Sequence, residues 1–417
     1  MIARIFSVFF VLLYVSFPAL SQDLDYARKN LGQLTAPAMY GRGYVKQGDK
    51  IAANYIAAEF ERLGLLKFGS DYFQQYSFPM NTFPGNAEVK IDGKALVAGA
   101  DFLVAPSSRG MSGTYGLVWI TDTNLSLSEL QQRVNALKMK DKFLVTVRQN
   151  ELGRAAELDN VKGVILLKEK GLTWSASTGH TTRKFMVIEV LKEKIAQNAQ
   201  MISLDIENEF FKKYSTQNVV AWIKGREKPD SFLVFSGHYD HLGKMGPALF
   251  PGANDNASGT AMILDLARYY SLPENAPRYS IAFMAFSGEE AGLLGSSHYV
   301  SDPLFPLKSI RFLINLDMVG TGSKGIKVVN GASFEKEFNT LSEINKQKAY
   351  LADVGKRGPS AHSDHHPFFE KGVPAVFIYT TGDEFKEYHN IYDVPDKLPF
   401  TRYNELFHLL TDFVKTF

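Results

Sequence analysis

The chain has 417 residues, 45% of them hydrophobic, enough to bury a large core and to build more than one domain. Its 46 basic and 44 acidic side chains leave a formal charge of +2, which provides no electrostatic basis for binding nucleic acid or an acidic membrane surface. Cysteine is absent, which excludes disulfides, a lipidated cysteine and thiolate metal sites, so any metal ligand must be His, Asp or Glu.

Residues 1–21 place Arg4 before the apolar run Ile5–Val15 and the small residues Ala19 and Ser21 before polar Gln22. The run is short for a membrane span and reads as a secretory signal peptide, with a mature start expected near Gln22 and no stable membrane insertion after cleavage. Met39-Tyr-Gly-Arg-Gly43 then reads as a glycine-punctuated loop. Apolar residues at 51, 55, 56, 60 and 63–66 recur at helical spacing and predict an amphipathic helix over Ile51–Leu65. From 86 to 205 short β-rich runs such as Leu117–Ile120, Phe143–Val147 and Gly163–Leu167 alternate with polar turns. This stretch reads as an inserted β-rich domain, a lid or substrate-shaping module, since it holds one histidine, His180, and no acids at metal spacing.

After Gln217–Gly225 the texture changes to strand, loop and helix in repetition. Strands are predicted at Phe232–Ser236, Tyr279–Phe286, Phe312–Leu316 and Ala375–Tyr379, with a helix at Ser258–Tyr270, which makes an α/β sandwich. In such sheets ligands gather beyond the carboxyl ends of the strands, and chemistry-bearing residues collect there. His238 and Asp240 are two apart, so they can stand on one side of a strand end as a metal ligand and its orienting carboxylate. Asp255 lies in the Gly-bracketed loop Gly252–Gly259, where a helix cap would be the ordinary explanation. Glu289 and Glu290 are adjacent carboxylates that repel unless a cation or a shared proton compensates. Asp317 closes a buried run, and His389 follows the last strand. Seven of the nine histidines fall between His238 and His389. Together His238, Asp255, Glu289, Glu290, Asp317 and His389 supply a mixed nitrogen and oxygen donor set suited to zinc.

The order of these motifs resembles that of the secreted co-catalytic di-zinc aminopeptidases, a family that also takes in glutamate carboxypeptidase, transferrin-receptor-like peptidases and the glutaminyl cyclases. The resemblance rests on Gly41-Arg42-Gly43, the helix around Ala52–Ala57, the inserted region and the loop His389-Asn-Ile-Tyr-Asp393-Val-Pro395-Asp396-Lys-Leu398. It implies a mixed β-sheet sandwiched between helices, of the phosphorylase/hydrolase-like zinc-peptidase kind, with a protease-associated-like insertion. The implied division is a signal peptide at 1–21, peptidase segments at 22–85 and 206–417, and the insertion at 86–205. Two zinc ions per chain are implied, one on His238, Asp255 and Asp317 and one on Asp255, Glu290 and His389, with Asp255 bridging. Glu289 is implied as the general base and Asp240 as the partner of His238. A cis peptide bond between Asp255 and Asn256 is also implied. The substrates would be peptides with a free N-terminus, in the periplasm or outside the cell. One position departs from the family: the tyrosine expected three residues before Ser363-Asp364-His365 is Ser360, and His365 is the expected substitute for its oxyanion role. A glutaminyl cyclase is disfavoured because the His238-x-Asp240 element of a second metal site is present. A receptor-like binding module is disfavoured because no ligand is lost, and a glutamate-type carboxypeptidase stays open.

Overall fold

Along Phe232–Phe235, Leu233 and Phe235 point to one face of the strand and Phe232 and Val234 to the other, and all four are buried. A strand apolar on both faces needs cover on both, which is the demand met by a sheet between two helical layers. The computed structural model describes residues 22–122, 124–137, 139–147 and 161–417. The expected leader, residues 1–21, lies outside them. The first sheet has eight strands, in the order Phe73–Thr82, Glu209–Ile223, Tyr279–Phe286, Lys228–His238, Ile310–Leu316, Ala375–Thr381, Gly325–Val329 and Val354–Lys356. The third to sixth of these are mutually parallel and the flanking pairs are antiparallel except the last, so the sheet is mixed.

One face is covered by the helices Leu24–Leu34, Gly48–Arg62, Ser258–Ser271, Glu335–Lys348 and Tyr403–Val414, whose Leu31, Ile56, Ile263, Leu341 and Leu410 join the core of Leu233, Phe283 and Ile314. The other is covered by Leu294–Ser301 and His365–Glu370, through Tyr299, Val300 and Phe368. The mixed α/β architecture read from the sequence is therefore the one adopted. The first predicted helix is shifted: it runs from Gly48 to Arg62 and ends before Gly64, whose φ is +74°. Its buried stripe is Ala52, Ala53, Ile56, Ala57 and Phe60, while Ile51 faces out and Leu66 bridges to Trp222. The leucines after Arg62 belong to the connection, and the apolar count had merged two elements.

A second eight-stranded sheet is assembled from residues 87–206, with Met111–Trp119, Lys142–Thr146, Gly163–Lys168 and Met186–Leu191 parallel at its centre. One face packs on the helix Leu127–Ala136. The other shares its core with Leu242 and with Met245, Ala248 and Phe250 of the strands Gly243–Met245 and Ala248–Phe250 just after His238. The loop around Arg42 backs onto the same hairpin. A Cβ on Gly41 would sit 2.5 Å from the carbonyl oxygens of Gly243 and Phe250, and one on Gly43 2.5 Å from Gly243 Cα. Only glycine permits that approach.

Candidate active site

The parallel strands end side by side and each delivers chemistry at or beyond its carboxyl end. His238 is the last residue of its strand, Asp317 follows Leu316, Glu289 and Glu290 follow the strand ending at Phe286, and His389 lies on the loop after Thr381. Asp255 comes from the loop before the helix Ser258–Ser271, and the Asp255–Asn256 peptide is cis, as the resemblance implies. That loop is tied down from three sides. The Asp393 carboxylate accepts from the amides of Asn254 (2.8 Å) and Asp255 (3.1 Å). Asn256 donates to the Leu316 carbonyl at 2.9 Å and accepts from Met318 N at 3.2 Å, fixing the loop to the strand end that carries Asp317. The guanidinium of Arg42, fully buried, donates to the carbonyls of Pro251, Gly252 and Asp255.

These supports turn the two oxygens of Asp255 toward two different histidines. His238 Nε2 lies 3.2 Å from Asp255 Oδ1 and 3.4 Å from Asp317 Oδ1. His389 Nε2 lies 3.0 Å from Asp255 Oδ2 and 3.2 Å from Glu290 Oε2. Donors sharing one tetrahedral zinc at about 2.0–2.2 Å stand roughly 3.3–3.5 Å apart, so both groups are spaced for a common ion. Asp317 Oδ1 is buried without a hydrogen-bond partner, which a ligand oxygen awaiting a cation would be. The residues present fit zinc.

The charges respond accordingly. Burial alone would raise Asp255, but hydrogen bonds from His238 and His389 outweigh it and hold its carboxyl well below the usual range. Burial likewise opposes ionisation of Glu290, and the positive fields of His389 and His241 bring it down to about 2. Burial would lower His389, but Glu290 and Asp255 lift it to about 11. Glu289 goes the other way: burial, with the nearby carboxylates of Glu290, Asp364 and Asp317, pushes it well above the usual range despite His238. Its carboxylate accepts no hydrogen bond from the described residues, and it lines the cavity with the ligands.

The supporting residues differ in part from those expected. His238 Nδ1 is 3.1 Å from the backbone carbonyl of Asp240 and 3.8 Å from its carboxylate, so both face the ring and the carbonyl is the nearer. The Asp240 carboxylate also accepts from the Tyr44 hydroxyl at 2.7 Å and from Glu289 N at 3.3 Å, which makes it an anchor for the turn that carries Glu289. His241, not singled out in the sequence, places Nδ1 2.7 Å from Glu290 Oε1, and its position could also serve a metal with Asp255 and Glu290. Ser363 donates to Asp317 Oδ2 at 2.7 Å. His389 Nδ1 meets the Trp174 carbonyl at 2.9 Å while Trp174 N donates to the His389 carbonyl at 2.8 Å. His389 is therefore oriented by the backbone of the 87–206 segment.

A cavity of about 320 Å³ opens over the ligands, walled by Met318, Arg357, His362, Phe377, Tyr379 and Tyr388. The Tyr388 ring stacks on His389 at 3.8 Å between centroids. His365 is not among the lining residues. It is fully buried, its ring lies against Phe377 at 5.4 Å, and burial lowers it to about 4. The expectation that it assists an oxyanion is corrected, because Phe377, on the cavity wall, packs against it.

Asp393 offers a direct test of the loop supports. Asp393→Ala leaves two buried amides without an acceptor, an expected cost of about 1–3 kcal/mol for each unsatisfied group. Zinc affinity is expected to fall about 10–100-fold, the usual effect of losing an outer-shell partner. Urea unfolding and zinc titration read the two effects separately, and wild-type values in both would show that Asp393 does not hold the loop.

The chain is similar to known proteins in both sequence and fold. Residues 218–414 match the model of Peptidase family M28. Aminopeptidase YwaD of Bacillus subtilis is 30% identical over 254 residues, covering 59% of this chain and 54% of that protein. A glutamate carboxypeptidase 2 homolog of Caenorhabditis elegans is 29% identical over 230 residues, covering 48% and 29%. The matched stretches thus span about half or less of these curated relatives. In fold, a zinc aminopeptidase from Bacillus subtilis superposes with a TM-score of 0.72 at 24% identity, over 94% of each chain. An aminopeptidase from Aneurinibacillus sp. strain AM-1 superposes with a TM-score of 0.66 at 20% identity, over 95% of this chain and 94% of that one. The matched segment contains His238, Asp255, Glu289, Glu290, Asp317 and His389, so the part of the chain that carries them is the part similar to Peptidase family M28.

Proposed function

We propose that the protein is a zinc-dependent aminopeptidase that acts outside the cytoplasm, in the periplasm or beyond the cell, on peptides with a free N-terminus. The observation that carries the reading is the double engagement of Asp255, whose oxygens face His238 and His389, with Glu289 uncommitted beside them. His238, Asp255 and Asp317 would hold one zinc, and Asp255, Glu290 and His389 a second. Zinc bound there supplies Lewis-acid polarisation of the scissile carbonyl and a lowered water pKa. Glu289 takes the proton from water on its carboxylate and returns it to the leaving amine. Asp240 holds the backbone at Glu289, His241 and Ser363 orient the ligands Glu290 and Asp317, and Tyr388 shields one face of His389. In this reading residues 22–85 and 206–417 form the peptidase domain. Residues 86–205 form a protease-associated-like insertion that positions His389 through Trp174.

Purified protein is expected to cleave aminoacyl-anilides and to leave their N-acetyl forms uncut. Comparable kcat/KM on both would overturn the exopeptidase reading. Stripping with a chelator is expected to abolish activity and to lower Tm, since an ion bound only by the folded chain stabilises it by mass action. Restored zinc should recover both, and a Tm indifferent to chelation would contradict the ligand assignment.

A further inference from the structure

Among the residues lining the cavity, Arg357 is the one lysine or arginine. It follows the short edge strand Val354–Lys356, and its backbone is pinned on both sides, Arg357 N to the Val328 carbonyl at 2.9 Å and Ala332 N to the Arg357 carbonyl at 3.1 Å. Its Nη1 donates to the Tyr379 hydroxyl at 2.8 Å, and Tyr379 stands on the central strand Ala375–Thr381. Among the described residues the guanidinium has no carboxylate partner. A guanidinium carries five donors in a planar fork, and one is used here. Tyr379, having accepted from Arg357, keeps its own O–H to give. A fixed cation with unspent donors, beside a hydroxyl proton and on the wall of a reaction cavity, has the chemistry of a carboxylate receptor, since arginine recognises that group with two parallel bonds.

We propose that Arg357 and Tyr379 form a carboxylate-binding subsite for the substrate. The proposal rests on the peptidase reading and names its substrate class: peptides that present a carboxylate close to the scissile bond. Two sources supply that group, the C-terminal carboxylate of a very short peptide and an acidic side chain next to the cleaved bond. Arg357 binds either through the same fork, and Tyr379 both holds the fork in place and adds a third donor.

Two matched pairs separate the sources: Leu-Gly against Leu-Gly-amide, and Leu-Glu-amide against Leu-Gln-amide. Affinity is measured by calorimetry on the zinc-loaded Glu289→Gln full-length chain, which lacks the base, and kcat/KM on the wild type. The carboxylate member of at least one pair is expected to bind about tenfold tighter, the scale of a charge-assisted pair of hydrogen bonds. A preference confined to the first pair assigns the terminal carboxylate, and one confined to the second assigns the side chain. Arg357→Ala is expected to bring the ratio within a pair close to one, Arg357→Lys to keep part of it, and Tyr379→Phe to weaken it. Arg357→Gln repeats the test should the alanine variant fold poorly, with zinc content checked for each. No preference in either pair, or a preference that survives loss of Arg357, overturns the subsite. If the wild type cuts no peptide while the affinity ratios still depend on Arg357, the aminopeptidase reading fails and the subsite stands.

Discussion

Glu289→Gln is expected to lower kcat by about 10²–10⁴-fold, the usual contribution of a positioned general acid–base group, with zinc content and the affinity of a competitive inhibitor near wild type. The reason lies in what each of two neighbouring carboxylates touches. Glu290 is engaged on both oxygens, Oε1 with His241 and Oε2 with His389. Glu289 is engaged on neither among the described residues, so replacing it by the isosteric amide breaks no hydrogen bond and leaves no buried partner stranded. It removes only the capacity to accept a proton. Glu290→Gln exchanges an anionic ligand for a neutral one and turns an amide toward His241 or His389, so zinc content is expected to fall toward one ion per chain, with activity partly restored by added zinc. Metal analysis and steady-state kinetics on the two variants decide the roles. Zinc lost from Glu289→Gln and retained by a slow Glu290→Gln would reverse them.

The parts of this molecule that were legible in the sequence are those governed by local pattern. Strands apolar on both faces carry a continuous signal: Tyr279–Phe286 has the expected bounds, and Phe232–Ser236 is extended to Lys228–His238. The acids and histidines that the structure brings together sit at those strand ends, where a charge next to a buried run is conspicuous. The residues that escaped notice act at long sequence separation. His241 follows the singled-out Asp240 directly, yet its partner is Glu290. Trp174 is far from His389 in the chain and binds it through backbone atoms, which no side-chain pattern records. Asp240 shows what spacing leaves open: it puts the residue beside His238, and the turn brings the carbonyl closer to the ring than the carboxylate. His365 misled because composition cannot distinguish a histidine on a cavity wall from one packed behind Phe377.

The largest expected loss of stability comes from Arg42, which the sequence offered only as the middle of a glycine-flanked loop. Its guanidinium is fully buried and donates to the carbonyls of Leu34 (3.0 Å), Tyr239 (2.7 Å), Pro251 (2.6 Å), Gly252 (2.8 Å) and Asp255 (3.4 Å). Burial lowers it to about 10, with Asp393 and Asp255 opposing the fall, so it is charged at neutral pH. Five acceptors from three separate stretches of chain converge on one planar fork, and two of those stretches carry Asp240 and Asp255. Arg42→Met fills much of the volume but leaves those carbonyls without their donor and Asp393 without a neighbouring cation. Removing one member of such a buried charged network costs about 3–5 kcal/mol. Because the same bonds hold the Asp255 loop, zinc affinity is expected to fall together with stability, whereas a purely structural core residue would lower stability alone. Arg42→Lys should recover only part of either loss, since three ammonium donors at one point cannot span acceptors spread around a fork. Urea midpoints and zinc titrations on the two variants test this. If Arg42→Met unfolds within about 1 kcal/mol of wild type, the range of an ordinary surface change, and binds zinc equally well, the loop is held by Asp393 and Asn256 without it.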